Sequence, residues 1–245
     1  MQQKTLIVTM LAALFLSRAA SAEFTEAVDG QFSGNIDFNG TITDTNPIWA
    51  WEIPEQSITD AQGWDALVLN GQVNGDKTSF TFPEKSSMPL IRGFMKTPSV
   101  SGGAGITPVI TIGGGDNSVV LSGDVAQDVT VVATGKNSSN VAVPDGSMSL
   151  KAQAFLGGAH DATYFGSTKA QEVLAANQEN FATNYPSLTA ANQSYAQSEE
   201  AFRNQSFSKL SGAYIAEIKD YLLTFPSASL PSTWSAIVPV TVTLK

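Results

Sequence analysis

The sequence predicts a mostly β protein, a β-sandwich carrying a partly helical insertion, and three observations carry that reading. Short alternating or β-branched runs recur along most of the chain, residues suited to turns separate them, and the periodicity becomes helical between about residues 157 and 211. Each end of the exported chain also carries a period-two alternation, and these two stretches bear on function.

At the amino terminus, Lys4 precedes an apolar run from Leu6 to Leu16, and small residues follow up to Ala20-Ser21-Ala22. This is the layout of a secretory signal peptide. A run of about 11 residues rising 1.5 Å each falls short of a bilayer core of about 30 Å. Residues 1–22 are therefore expected to be removed, leaving a mature chain that starts at Glu23 and does not insert into a membrane. Loss of Lys4 and Arg18 leaves 11 basic against 22 acidic residues, a formal charge of −11. Such a chain is repelled by nucleic acid and by anionic membrane surfaces. The absence of cysteine means that the fold relies on burial and strand pairing without a disulfide, and it excludes thiolate zinc sites.

The mature chain opens on its most regular feature. Even positions from 24 to 42 read Phe24, Glu26, Val28, Gly30, Phe32, Gly34, Ile36, Phe38, Gly40 and Ile42, apolar or glycine except at Glu26, while the odd positions are polar except at Ala27. A period of two places the apolar groups on one face of an extended chain. The run is roughly three times the usual strand length of about 5 to 6 residues, so either it bends into two strands or part of it is used elsewhere. Glycines at 30, 34 and 40 allow close approach of another backbone or a bulky side chain, as insertion into a groove requires. Because Glu26 interrupts the first part, the stretch from Phe32 to Ile42 is the more regular half.

Strands are expected over Ile48 to Ile53, Ala66 to Leu69, Thr78 to Phe82, Ile106 to Ile112, Val119 to Leu121, Val129 to Ala133 and Met148 to Ala154. Asn74-Gly75, Gly113-Gly114-Gly115 and Pro144-Asp145-Gly146 supply turns between them. A first helix is expected from Thr168, with Gln171 completing a capping box and Ala170, Val173, Leu174 and Phe181 near one face until Pro186. A second helical pattern follows in Leu188, Ala191, Tyr195 and Phe202. These helices are expected on one end or face of the sandwich, outside its core. From Trp234 to Lys245 the alternation returns, with Val238, Val240, Val242 and Leu244 on one side and Pro239, Thr241, Thr243 and Lys245 on the other. A strand with one apolar face at an open edge invites pairing with another chain.

Signals for chemistry are thin. His160 is the single histidine, so histidine-rich metal sites are excluded, and a loop position after Gly157-Gly158 predicts a solvated ring. The glycine clusters at 102–103 and 113–115 lack the lysine and hydroxyl residue of a phosphate loop. Asp37-Phe38-Asn39-Gly40 resembles the start of a calcium loop without its later acidic ligand. No catalytic residue, metal site or cofactor is expected. Tyr164, Phe165, Tyr185 and Tyr195 present two alternatives, a stacking surface for a host glycan or, favoured, the packing of the helices on the sandwich.

Four stretches carry a family resemblance: Phe32-Ser33-Gly34-Asn35-Ile36-Asp37-Phe38-Asn39-Gly40-Thr41-Ile42-Thr43; Trp49-Ala50-Trp51-Glu52; Pro89-Leu90-Ile91-Arg92-Gly93 with Thr97-Pro98 and Gly105-Ile106-Thr107-Pro108; and Thr233-Trp234-Ser235-Ala236 leading into the last alternation. On these the chain resembles the FaeG-type fimbrial subunits, major and minor, of enterobacterial chaperone-usher fimbriae. The resemblance implies an incomplete immunoglobulin-like sandwich completed by donor-strand exchange. It divides the chain into a signal peptide (1–22), an amino-terminal donor extension (23–45) and a pilin domain (46–245) with its helical insertion at about 157–211. It implies a donor role for Phe32, Gly34, Ile36, Phe38, Gly40 and Ile42, and an acceptor role, facing first a periplasmic chaperone, for Val238, Val240, Val242 and Leu244. It further implies other fimbrial subunits and an outer-membrane usher as partners, export through the periplasm to a surface fimbrium, and adhesion to host cells. Leu244 stands where many chaperone-usher subunits have a penultimate tyrosine, and the lack of cysteine agrees with this branch. The alternative is a self-contained secreted sandwich that binds carbohydrate or acts as an enzyme, with the amino-terminal segment folded back as its own strand.

Overall fold

The computed structural model describes residues 49–123, 125–190 and 193–245; the expected donor segment, Phe32 to Ile42, lies outside them. In chain order the strands are β1 (Trp49–Glu52), β2 (Gln72–Asn74), β3 (Lys77–Thr81), β4 (Met88–Met95), β5 (Ser99–Ser101), β6 (Pro108–Ile112), β7 (Val119–Val120), β8 (Gln127–Lys136), β9 (Ala142–His160), β10 (Thr163–Gly166), β11 (Thr189–Ala190), β12 (Ser208–Pro226), β13 (Thr233–Ala236) and β14 (Val240–Leu244). The helices are α1 (Glu55–Asp60), α2 (Thr168–Asn177), α3 (Phe181–Asn184) and α4 (Tyr195–Arg203). The protein is thus mostly β, as the sequence predicts.

The two 19-residue strands β9 and β12 pair antiparallel through the centre of a large curled sheet. Along its other edge β12 meets β5, β4 and β3 in turn, while β9 meets β8 and β10. So long a strand keeps one apolar face only if its parity can be corrected. In β12 the buried residues run Tyr214, Ala216, Ile218 and then Tyr221, Leu223, Phe225, and the switch falls at a bulge where Asp220 adopts φ of 56°. One extra residue turns every later side chain back toward the core. β4 makes the same correction, Met88 and then Ile91, Gly93 and Met95 being buried across the irregularity opposite Ala216/Glu217.

A second sheet, in the order β14-β6-β7, closes the sandwich. Ile110, Ile112 and Leu121 from this region share one buried cluster with Met95, Leu156 and Tyr214 of the large sheet. Helix α2 packs on the opposite face of the large sheet, where Ala170, Val173 and Leu174 meet Ala213 and Ile215, while Phe202 of α4 joins the main core. Residues 210–216 of β12 are buried on both faces for this reason.

Several local expectations are overturned. Ala66 to Leu69 forms no strand; Val68–Asn70 is a short 3₁₀ turn, and Leu67, Val68 and Leu69 are exposed. Pro144-Asp145-Gly146 lies within β9, and the turn into that strand is made earlier by Asn137, whose Oδ1 accepts from the amides of Ser139 and Val141 at 3.0 Å each. Helix α2 starts at Thr168 without a side-chain cap, because Gln171 turns inward and donates to the carbonyls of Phe165 and Gly166. The capping box occurs at α4, between Ser194 and Gln197. Leu188 lies outside α4, and Phe181 sits on the separate helix α3.

Candidate subunit-assembly groove

The last alternation is positioned by two sheets in succession. Thr233 to Ala236 pairs with β8 of the large sheet, and Val240 to Leu244 then pairs with β6 of the small one. Across both, Trp234, Ala236, Val238, Val240 and Val242 are half-buried against the core, and Ser235, Ile237, Pro239, Thr241 and Thr243 face solvent. Leu244 is more exposed, at 43 %. The expected acceptor residues Val238, Val240 and Val242 are therefore brought onto one wall, with Leu244 at its end.

The hydrogen-bond phase of β14 decides what its outer edge offers. Thr107 and Lys245 exchange reciprocal amide-to-carbonyl bonds of 3.2 and 2.9 Å, and the Gly113 amide donates to the Pro239 carbonyl at 2.9 Å. In an antiparallel ladder such bonded pairs alternate, so the odd residues of β14 are satisfied by β6. The amides and carbonyls of Val240, Val242 and Leu244 consequently point away from β6. Among the described residues no strand pairs with that edge. The same residues thus present apolar side chains inward and unpaired main-chain groups sideways, which is the chemistry that a strand adding to a sheet edge completes.

Beside Leu230 to Val238 a cleft of about 480 Å³ opens into the core. Its floor is Phe80 from β3, Met88 from β4, Met148 and Leu150 from β9, and Ile218 and Leu223 from β12. Its far wall is Trp64, set edge-on to Tyr221 at 4.6 Å between ring centroids, with the indole donating to the Asp60 carbonyl at 2.5 Å. Tyr221 donates to the Ile218 carbonyl at 2.8 Å, and burial pushes its phenol up to about 12. Phe82 lies between Trp64 and Trp234, 5.2 and 6.1 Å from their centroids. A cleft of this size with so apolar a floor offers room for a row of apolar side chains.

The floor of this cleft was not singled out by sequence reasoning. Phe80, Met88, Met148, Leu150, Ile218 and Leu223 carry the ordinary signal of inward strand positions, and only their convergence on a space that no described residue covers distinguishes them. The paired tryptophans do not line this cleft. Trp49 and Trp51 stack at 5.2 Å, Trp49 donates to the Ile106 carbonyl at 3.0 Å, and Trp51 lies over Gly93, where a Cβ would come within 2.2 Å of the indole.

The aromatic residues weighed as a glycan surface are turned inward. Phe165, Tyr185 and Tyr195 are buried, and half-buried Tyr164 stacks on Phe181. The Tyr185 hydroxyl donates to the Lys209 carbonyl and lies 2.7 Å from the Ser211 hydroxyl, and burial pushes the phenol up to about 12. His160 is half-buried and not solvated: its ring stacks on Phe207 at 3.7 Å, and Nδ1 lies 3.3 Å from Asp161 Oδ2. A hydrogen bond from Ser208, then one from His160, holds the Asp161 carboxyl below its ordinary range. Among the described residues no three or more of His, Cys, Asp and Glu cluster as metal ligands, and no helix is long and apolar enough to cross a membrane.

Comparison with curated proteins returns no match. The model of the family described as fimbrial, major and minor subunit matches residues 2–155 and 148–245. Those two overlapping stretches take in the Trp49-Ala50-Trp51 and Thr233-Trp234 motifs, the cleft and the carboxyl-terminal strand, and the chain belongs to the family of fimbrial major and minor subunits.

Proposed function

We propose that the cleft and the open edge of β14 form an acceptor groove for a β-strand donated by a neighbouring subunit, and that the protein is a structural, non-catalytic element of a chaperone-usher fimbrium. The observation that carries this reading is the succession along one segment of Val238, which lines the cleft, and of Val240 and Val242, half-buried on the core in a strand whose outer edge no described strand pairs. The donor is the segment Phe32, Gly34, Ile36, Phe38, Gly40 and Ile42, in an extension at residues 23–45 that follows a signal peptide at 1–22 and precedes the pilin domain at 46–245. Its six inward positions match in number and spacing the six from Trp234 to Leu244. In this reading a periplasmic chaperone covers the groove first, exchange occurs at the outer-membrane usher, and the assembled fibre mediates adhesion to host cells.

The test uses a chain beginning at Asn46. Alone it should unfold readily, because its groove stays open; it should form a complex with a periplasmic chaperone and be stabilised by a peptide spanning Phe32 to Thr43. A truncated chain that folds as a stable monomer and does not bind the peptide would remove the strand-exchange reading.

A further inference from the structure

Four large apolar residues within a stretch of seven lie mostly in solvent: Leu67 is 68 % exposed, Val68 69 %, Leu69 96 % and Val73 70 %. Apolar residues scattered singly over a surface need no explanation, but a contiguous patch marks an interaction site. The backbone holds this patch outward. The amides of Asn70 and Gly71 donate to the carbonyls of Leu67 and Val68 at 2.9 and 3.0 Å, and a Cβ on Gly71 would meet Thr78 and Phe80 at 2.6 and 2.9 Å, so the turn is pressed onto β3. Val68 lines the mouth of the acceptor cleft, and Val73 pairs with Thr78 on the side of β3 that carries Phe80. The patch is therefore continuous with the groove, at its Leu230 end.

Chain length identifies the occupant. On the donor reading above the donated strand ends at Ile42, and the first strand of the body, β1, begins at Trp49. Seven Cα steps separate them and reach at most about 25 Å. A neighbour whose strand runs antiparallel to residues 234–244 puts Ile42 at the Leu230 end of the groove, and the short link then keeps its body beside that rim. We infer that Leu67, Val68, Leu69 and Val73 form a body-to-body contact with a second copy of this chain, the copy whose extension fills the groove. The contact is head-to-tail, so it repeats along a growing fibre. It adds apolar burial between subunits that each carry a formal charge of −11 once the signal peptide is gone and otherwise repel one another.

The experiment compares the full chain with a Leu67→Ser, Leu69→Ser double variant. Self-association is followed by sedimentation velocity, and binding of the Phe32 to Thr43 peptide by fluorescence anisotropy. The expected result is that the variant needs at least tenfold higher concentration to self-associate, while its melting temperature and its peptide affinity match those of the parent. Equal self-association with peptide binding intact, or a parent that binds the peptide yet stays monomeric, overturns this contact and leaves the groove reading standing. Failure of the parent to bind the peptide removes both. Because the chain has no cysteine, a polarity-sensitive dye on Leu69→Cys gives a second readout: its emission should shift to the blue on association, and an unchanged spectrum in the oligomer also overturns the contact.

Discussion

Val242 stands directly across from Ile110 in the β14–β6 pair, yet Ile110 is completely buried and Val242 is not. Two β-branched side chains on one face of one ladder differ in what lies on their other side: among the described residues β6 has a neighbour on each edge, and β14 has one. The exposure of Val242 thus reflects an outer edge that no described strand pairs.

Substituting Val242→Ser should leave the domain nearly as stable as before, because the residue is only half-buried, and should weaken the Phe32 to Thr43 peptide by roughly tenfold, about the 1.4 kcal/mol expected from removing two methyl groups that strand addition buries. Anisotropy titration reads the affinity and urea unfolding reads the stability. An unchanged affinity would mean that the donated strand does not cover this residue.

Gly158 is predicted to be intolerant of any side chain. A Cβ there would lie 2.1 Å from the Ser211 carbonyl oxygen, which belongs to the paired strand β12 and cannot swing aside. Gly158→Ala should destabilise the fold by about 2 kcal/mol or more, measured by urea unfolding, in the range usual for overpacking a core.

Gln178 links the helical layer to the sheet: its amide donates to the Met95 carbonyl at 2.7 Å and to Ser211 Oγ at 3.0 Å. Gln178→Ala leaves a buried carbonyl and a buried hydroxyl short of partners and should cost roughly 2 kcal/mol. Calorimetric melting of the variant checks the loss.

Alkaline pH should destabilise the protein through Tyr185 and Tyr221. Burial raises both phenols from 10.0 to about 12, so between those values the folded state binds more protons than the unfolded one. Their contribution is present in full below pH 10 and is lost as the pH rises to about 12, on the order of 3 kcal/mol for each tyrosine. Stability measured by denaturant titration from pH 9 to 12 should fall along that window. The slope should be shallower in Tyr185→Phe and in Tyr221→Phe; identical slopes would refute the assignment.

Helix α4 depends on its capping box, in which the Gln197 amide donates to Ser194 Oγ at 3.3 Å and the Ser194 amide to Gln197 Oε1 at 2.9 Å. Ser194→Ala should cost about 1 kcal/mol, and a circular dichroism melt would register it.

Sequence alone determined the β class, the position of most strands, the helical segment and the apolar face of the last strand, because alternation and helical periodicity are local consequences of which face a residue buries. It also carried the family, through motifs at both ends and in the first half of the chain. The lengths of β9 and β12 were not legible, since a bulge at Asp220 resets the alternation and Pro144-Asp145-Gly146 has the composition of a turn. Nor was the orientation of Tyr185 or His160, whose partners Ser211 and Phe207 lie 26 and 47 residues away in the chain. The tertiary structure alone decided that Phe80, Met88, Met148 and Leu223 floor one cleft and that the main-chain groups of Val240 and Val242 face an edge that no described strand pairs. A strand's own sequence specifies which side chains point inward, whereas whether a neighbour covers them is settled by the packing of distant segments.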